Sequence, residues 1–281
     1  MSETADTPRI QAILASGIKI PPLPEALLKI QAMLRNPDVS TADVARLIRQ
    51  DGALSGAVFR VVGSPVFGLH ARVDTVDRAV TLLGIPPTLA ILRGISLRAA
   101  FGGGTQDAAL EALWRRSGQI AQYAMAATRL LRPRGISPDQ AYTLGMFHDC
   151  GLALLAKRFP AYGEALAQDL WREIPALDRA QNSDHGLVGE MVARNWQLPG
   201  EIAQAIRHHH EQKAADPFGV PARLVALLNF ACHMCRQALQ DDDQEWEKGW
   251  RDACAVRLGL TEPDLVGLEV EVGVAVATTR Q

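Results

Sequence analysis

The chain has 281 residues, 48% of them hydrophobic, with a formal charge of −2. That is enough apolar material for one large core or two smaller ones, and with aromatics at only 5% the core is expected to be aliphatic and helical. The charge leaves no basic excess to neutralise phosphates, so nothing global argues for a nucleic-acid partner.

In chain order, residues 1–17 read as a leader with Ile10, Ile13 and Leu14 on a short helical turn. Ile20-Pro21-Pro22-Leu23-Pro24 is a rigid, extended entry, because proline fixes its own φ and keeps the preceding residue out of the helical region. A helix follows with Leu27, Ile30 and Leu34 at helical spacing. Asn36-Pro37-Asp38 breaks it, and Ser40 with Asp43 three residues on forms a capping box for the next. A third helix carries Leu54, Ala57, Val58 and Val61. After it, Val66 to Val73 is a loop whose Phe67, Gly68 and His70 fit either a docking surface or an ordinary surface loop. Thr75 caps a fourth helix, stopped by Gly84, and Pro86-Pro87 opens a fifth to about Ala100. Gly102-Gly103-Gly104 is a flexible joint and the internal boundary.

A long helix is expected from about Ala108 to Leu131, with Leu113, Ser117, Ile120 and Ala124 on one face. Ser137-Pro138-Asp139-Gln140 is a helix start combining a cap, a proline at the first position and a glutamine to close the box. Leu144, His148, Leu152 and Leu155 then share a stripe, which points His148 inward and sets Asp149 about 100° around the helix from it. Further helices begin at Pro160, after Asn182-Ser183-Asp184, after Leu198-Pro199-Gly200 and at Pro221. Helical spacing carries Ile202 and Ile206 on into His208-His209-His210, where His209 is the inward residue and at most one or two of the three can enter a pocket. Residues 245–258 and 262–278 close the chain as two helices, and nothing in the order of elements suggests a sheet.

A buried His-Asp pair such as His148-Asp149 must be paired, metal-bound or neutralised. Cys232 and Cys235 have a C-x-x-C spacing that fits a redox pair, half a zinc site or two core thiols one turn apart. No second pair follows at zinc-finger spacing. Met1–Thr7 is polar, and no apolar run approaches the ~20 residues needed to span a bilayer, so the expectation is a cytoplasmic protein with no membrane partner.

The succession Leu113-Trp114-Arg115-Arg116-Ser117, Gly145-Met146-Phe147-His148-Asp149-Cys150-Gly151, His185-Gly186-Leu187-Val188-Gly189, Trp196-Gln197-Leu198-Pro199 and Arg207-His208-His209-His210 resembles the HD superfamily of helical phosphohydrolases. Within it the chain is most similar to the HD-related output domain (HDOD) family of bacterial signalling proteins. The opening segments Ile20–Pro24, Asn36–Ser40, Gln50–Ser55 and Gly63–Gly68 carry that narrower likeness, which covers about residues 18–215. It implies an all-α fold, an HD-domain-like helical bundle over 105–281 preceded by a smaller N-terminal helical subdomain over 18–101.

In active HD phosphohydrolases an upstream histidine, the His-Asp pair and a final aspartate hold the metal. The resemblance sets Arg116 at the first of these positions and Asn229 at the last, and sets His185, His209 and His210 at positions that bind a second metal or phosphate in relatives. A guanidinium cannot ligate, and a neutral amide is a poor partner for a hard cation. The implied pocket of Arg116, His148, Asp149, His185, His209, His210 and Asn229 is therefore a degenerate one, without metal, cofactor or catalytic residues. Arg116 is expected to face Asp149 and replace part of the metal's charge. The function expected is non-catalytic signal transduction through a protein partner or a nucleotide-type small ligand. No receiver or DNA-binding segment is recognised, so the chain reads as a stand-alone module. The alternative is a metal-dependent phosphohydrolase of nucleotides or cyclic dinucleotides, working from His148, Asp149, His185 and His209.

Overall fold

A computed structural model of the chain describes residue 13 and residues 17–62, 73–102 and 107–277, with fifteen α-helices and no strand among them. The expected leader apart from Ile13 and Gly17, most of the 66–73 loop with Phe67, Gly68 and His70, and Gly103-Gly104 lie outside the described residues.

The N-terminal unit comprises α1 (Glu25–Met33), α2 (Thr41–Arg49), α3 (Gly52–Val62), α4 (Val76–Leu83) and α5 (Ile85–Phe101). The Ser40–Asp43 capping box forms as the sequence requires: Asp43 N–H donates to Ser40 Oγ at 3.2 Å, and Ser40 N–H to Asp43 Oδ2 at 3.1 Å. Gly84, at φ 81°, takes the left-handed turn that bends α5 119° away from α4.

In the second unit α6 (Ala108–Leu131) is the central strut. Against it pack α7 (Pro138–Phe147), α9 (Pro160–Ala167), α13 (Val220–Ala238) and α15 (Glu262–Ala277). The intervening helices are α8 (Cys150–Arg158), α10 (Ile174–Ala180), α11 (His185–Asn195), α12 (Gly200–Arg207) and α14 (Arg251–Leu258). One hydrophobic core runs through both units. At their seam Phe101 meets Trp114 and Trp196, Phe147 meets Trp196, and the Trp196 indole N–H donates to Pro21 O at 3.0 Å. No single helix among the described residues is long and apolar enough to cross a membrane.

Four departures from the expected helices matter. The helix begun at Pro138 does not run through His148-Asp149: α7 ends at Phe147 and α8 begins at Cys150. The reason is local. His148 Nδ1 engages Gly145 O at 2.7 Å, the carbonyl that an unbroken helix would give to the amide of residue 149. Likewise α12 stops at Arg207, so the three histidines form a turn instead of a helical row. A 3₁₀ turn at Trp171–Glu173 and α10 replace the tail expected of the Pro160 helix. Gly249, at φ 131°, kinks the chain inside a π turn at Trp246–Trp250 that precedes α14, where one helix over 245–258 was expected. By contrast α15 is helical despite its β-branched content, because Leu265, Leu268, Val272 and Val276 bury one face.

Two glycines let helix backbones touch. A Cβ at Gly145 would overlap the Ala121 backbone of α6, and one at Gly151 would overlap the His185 carbonyl at the start of α11. Overpacking of this kind costs about 1–3 kcal/mol or more. Gly145→Ala and Gly151→Ala should each destabilise by at least that much in chemical denaturation. Gly118→Ala, on the same central helix with nothing within 4 Å of its Cβ, should stabilise by about 0.5–1 kcal/mol. Equal stability of Gly151→Ala and Gly118→Ala would show that α8 and α11 are not in backbone contact.

Candidate functional site

The break between α7 and α8 delivers Asp149 into the interior, where His148 Nε2 lies 3.0 Å from its Oδ2. His185, the first residue of α11, enters from the facing side. Its N-terminal turn is held by Asp184, which accepts from Leu187 N–H at 2.9 Å, and α10 brings Asp178 Oδ2 to His185 Nδ1 at 2.6 Å. The turn after α12 adds His209 and His210, whose ring centroids are 4.0 Å apart. His209 Nδ1 donates to Ile206 O at 2.6 Å, so its Nε2 is the free edge. His208 turns outward to Glu211.

One donor atom from each of Asp149, His185, His209 and His210 falls within 4.8 Å of the others. Their separations are informative. His185 Nε2 is 2.9 Å from His210 Nε2 and 3.3 Å from His209 Nε2, and Asp149 Oδ1 is 3.5 Å from His209 Nε2 and 3.7 Å from His185 Nε2. Ligands at about 2.0–2.1 Å on a tetrahedral ion stand roughly 3.3 Å apart, and these four separations suit side chains gathered around one divalent ion. The surrounding contacts fit as well, since a ligating imidazole typically anchors its other nitrogen on a carboxylate or carbonyl, as His185 does on Asp178 and His209 on Ile206.

The electrostatics agree. Burial pushes the Asp149 carboxyl up, but His148, His209 and His185 outweigh it and hold the group well below the usual carboxylate range. Burial, with the neighbouring imidazoles, lowers His209, and His210, whose ring keeps an exposed side, is lowered by desolvation beside His209 and His185. His185 is also disfavoured by burial, yet Asp178 and Asp149 raise it overall. His185 Nε2 faces His210 Nε2 at 2.9 Å, a contact that either a shared proton or an ion would satisfy.

Over these donors lies a cavity of about 60 Å³, walled by Arg116, Leu152, Trp171, Cys232, Arg236 and Trp246. A broader open cleft of about 530 Å³ reaches the same cluster along His185 and His210. All seven sequence-expected pocket residues line the small cavity, but two do not act as expected. The Arg116 guanidinium lies over the Trp171 ring, 4.7 Å from its centroid, while His148, His185 and His209 lie within 4 Å of the Asp149 oxygens. Stacking on the indole, the cation is directed away from the pairing that the resemblance implied. Asn229 Nδ2 donates to His209 O at 2.9 Å and to Val225 O at 3.0 Å, so its amide fastens the histidine turn to α13.

Asp178 and Trp171 had no signal in the sequence, because each reaches the site from an element whose position follows only from packing. Cys232 and Cys235 are free cysteines on α13, and burial pushes the Cys232 thiol up to about 12, away from the thiolate that a reactive cysteine needs. Asn229→Asp would set a carboxylate oxygen against two carbonyls. It should cost about 1–3 kcal/mol in chemical denaturation; stability equal to the parent would show that the amide donors are dispensable.

Comparison with known proteins agrees with this architecture. The family model described as "HDOD domain" matches residues 20–212. An uncharacterized protein of Treponema pallidum (strain Nichols) is 29% identical over 235 residues, 80% of this chain, and the chain spans 44% of that relative's length. The crystal structure of an HDOD domain protein of unknown function from Geobacter sulfurreducens superposes with a TM-score of 0.73 at 22% identity, covering 97% of this chain and 96% of that one. A Shewanella amazonensis SB2B structure, whose name proposes a metal-dependent phosphohydrolase, gives the same TM-score of 0.73 at 17% identity, over 99% and 98% of the two chains. With a match across most of its length and the all-α bundle in place, the chain belongs to the HDOD domain family.

Proposed function

We propose that the protein is a non-hydrolytic signal-transduction module whose Asp149–His185–His209–His210 cluster holds a single divalent ion and whose output passes by contact to a protein partner. The observation that carries this reading is the closure of the site. Four side-chain donors converge within 4.8 Å of one another, enough to fill the positions of a tetrahedral ion, whereas hydrolytic zinc sites keep a position open for water. The cavity that all four donors share, about 60 Å³, is far below the ~300–1,000 Å³ of small-molecule pockets, and the larger cleft beside it, about 530 Å³, is lined by His185 and His210 but by neither Asp149 nor His209. A bound ion would neutralise Asp149 and draw the imidazole nitrogens together, acting as a structural or sensory clamp between α8, α11 and the turn after α12.

This differs from the metal-free site expected from Arg116 and Asn229. The donor set that assembles uses neither position, so their substitution does not remove it. Imidazole and carboxylate donors at this spacing suit zinc or a similar borderline ion.

Protein purified without chelator should contain about one equivalent of divalent metal, and chelation should lower its melting temperature. His185→Ala and His209→Ala should each abolish that metal-dependent shift. Supplied with zinc, manganese or iron, it should turn over neither nucleotides nor cyclic dinucleotides. Turnover lost in both Asp149→Ala and His185→Ala but kept in a distal variant would overturn the non-hydrolytic reading in favour of the phosphohydrolase. Metal content unchanged in His185→Ala would remove the ion from this cluster.

A further inference from the structure

Away from the cluster, the last helix has an apolar face too many. α15 buries Leu265, Leu268, Val272 and Val276, yet Val266, Val270 and Val274, four residues apart on another face, are 43%, 63% and 59% exposed. Single exposed aliphatics are ordinary, whereas a row of them along one helix marks a contact surface. The row also borders an open cleft of about 630 Å³. Val270, Val274 and Ala277 form one wall, and Tyr123 of α6 with Met234 and Ala238 of α13 form the other.

The charges beside the row have one sign. Between residues 262 and 277 there are four carboxylates, Glu262, Asp264, Glu269 and Glu271, and no lysine or arginine. Glu262, at the helix start, pairs with Arg251. At 100° per residue Glu269 and Glu271 fall on opposite sides of the valine row; Glu269 is mostly buried against His233, 3.8 Å away, and Glu271 is the exposed carboxylate. A second copy of the chain would match valine to valine, but in an antiparallel pair it would also set Glu271 against Glu271, which opposes that self-pairing. A helix with a basic rim satisfies both the apolar wall and the exposed carboxylate.

We propose that the cleft between α15 and α13 docks an amphipathic helix of a partner protein, with aliphatic side chains along Val266, Val270 and Val274 and lysine or arginine over Glu271. The surface is separate from the His–Asp cluster, and the proposal stands whether or not that cluster holds an ion.

The test uses two labelled synthetic helices of about 18 residues, long enough to hold helical structure, sharing one leucine stripe and flanked by lysine in one and glutamate in the other. The full chain should bind the lysine-flanked helix at least about tenfold more tightly than its glutamate twin, with affinity falling as salt rises. In Val270→Asp/Val274→Asp that binding should weaken at least about tenfold. The double variant adds two negative charges, so attraction by charge alone predicts the opposite sign. Both sites are exposed, and an unchanged melting curve checks the fold. Glu271→Lys gives an independent arm, weakening the lysine-flanked helix and strengthening its twin. Equal affinity for the two helices, or undiminished binding by the double aspartate variant, would overturn the proposal. Dimerisation in sedimentation velocity that Val270→Asp abolishes would assign the face to a second copy instead, and would overturn it as well.

Discussion

Asp149 is a carboxylate taken out of water, and the centre of the molecule is arranged to make that tolerable. Isolated in the interior it would be strongly unfavourable. Here three imidazoles, from His148, His185 and His209, lie within 4 Å of its oxygens. Each imidazole is itself held by a second contact: His148 by Gly145 O, His185 by Asp178 and His209 by Ile206 O. Satisfying one buried charge therefore ties together the α7–α8 break, the α10–α11 junction and the turn that ends α12. Backbone contact at Gly151 fixes how near α8 and α11 approach, so the distance between Asp149 and His185 is set by packing before any ligand is considered.

The helical order of the chain was largely legible because its punctuation is local. Ser40, Thr75 and Ser137 each accept from the backbone amide three residues on, and the proline entries at Pro138, Pro160 and Pro221 stand in the first turn of their helices. What could not be read were the places where a side chain competes with the helix ladder. The stripe Leu144–His148–Leu152–Leu155 has helical spacing, and only the bond from His148 to Gly145 O shows why the helix stops within it. The triple histidine hides its geometry in the same way. On a helix the three rings would diverge, whereas the turn after Arg207 brings two of them together.

The two residues that the resemblance set at metal-ligand positions are engaged elsewhere in the pocket wall. Arg116 and Asn229 both line the cavity, one stacked on Trp171 and the other bound to the backbone of the histidine turn. Neither could have been placed by motif alone, since Trp171 comes from a 3₁₀ turn and His209 O from a non-helical turn, and no sequence spacing links them. The chemical identity of the candidate residues was readable from the chain; their division into donors and supports required the fold.

The five tryptophans divide according to this architecture. Trp114 and Trp196 are buried at the seam between the two units, with their indole N–H groups donating to Gly102 O and Pro21 O. Trp171, Trp246 and Trp250 line the cavity, beneath Arg116, stacked on His233 and beside Arg257. An indole flat against an imidazole at 4.2 Å is in van der Waals contact with a potential quencher. The protein thus carries two sets of intrinsic fluorophores: emission from the cavity set follows the state of the site, and emission from the seam set follows the cohesion of the two units.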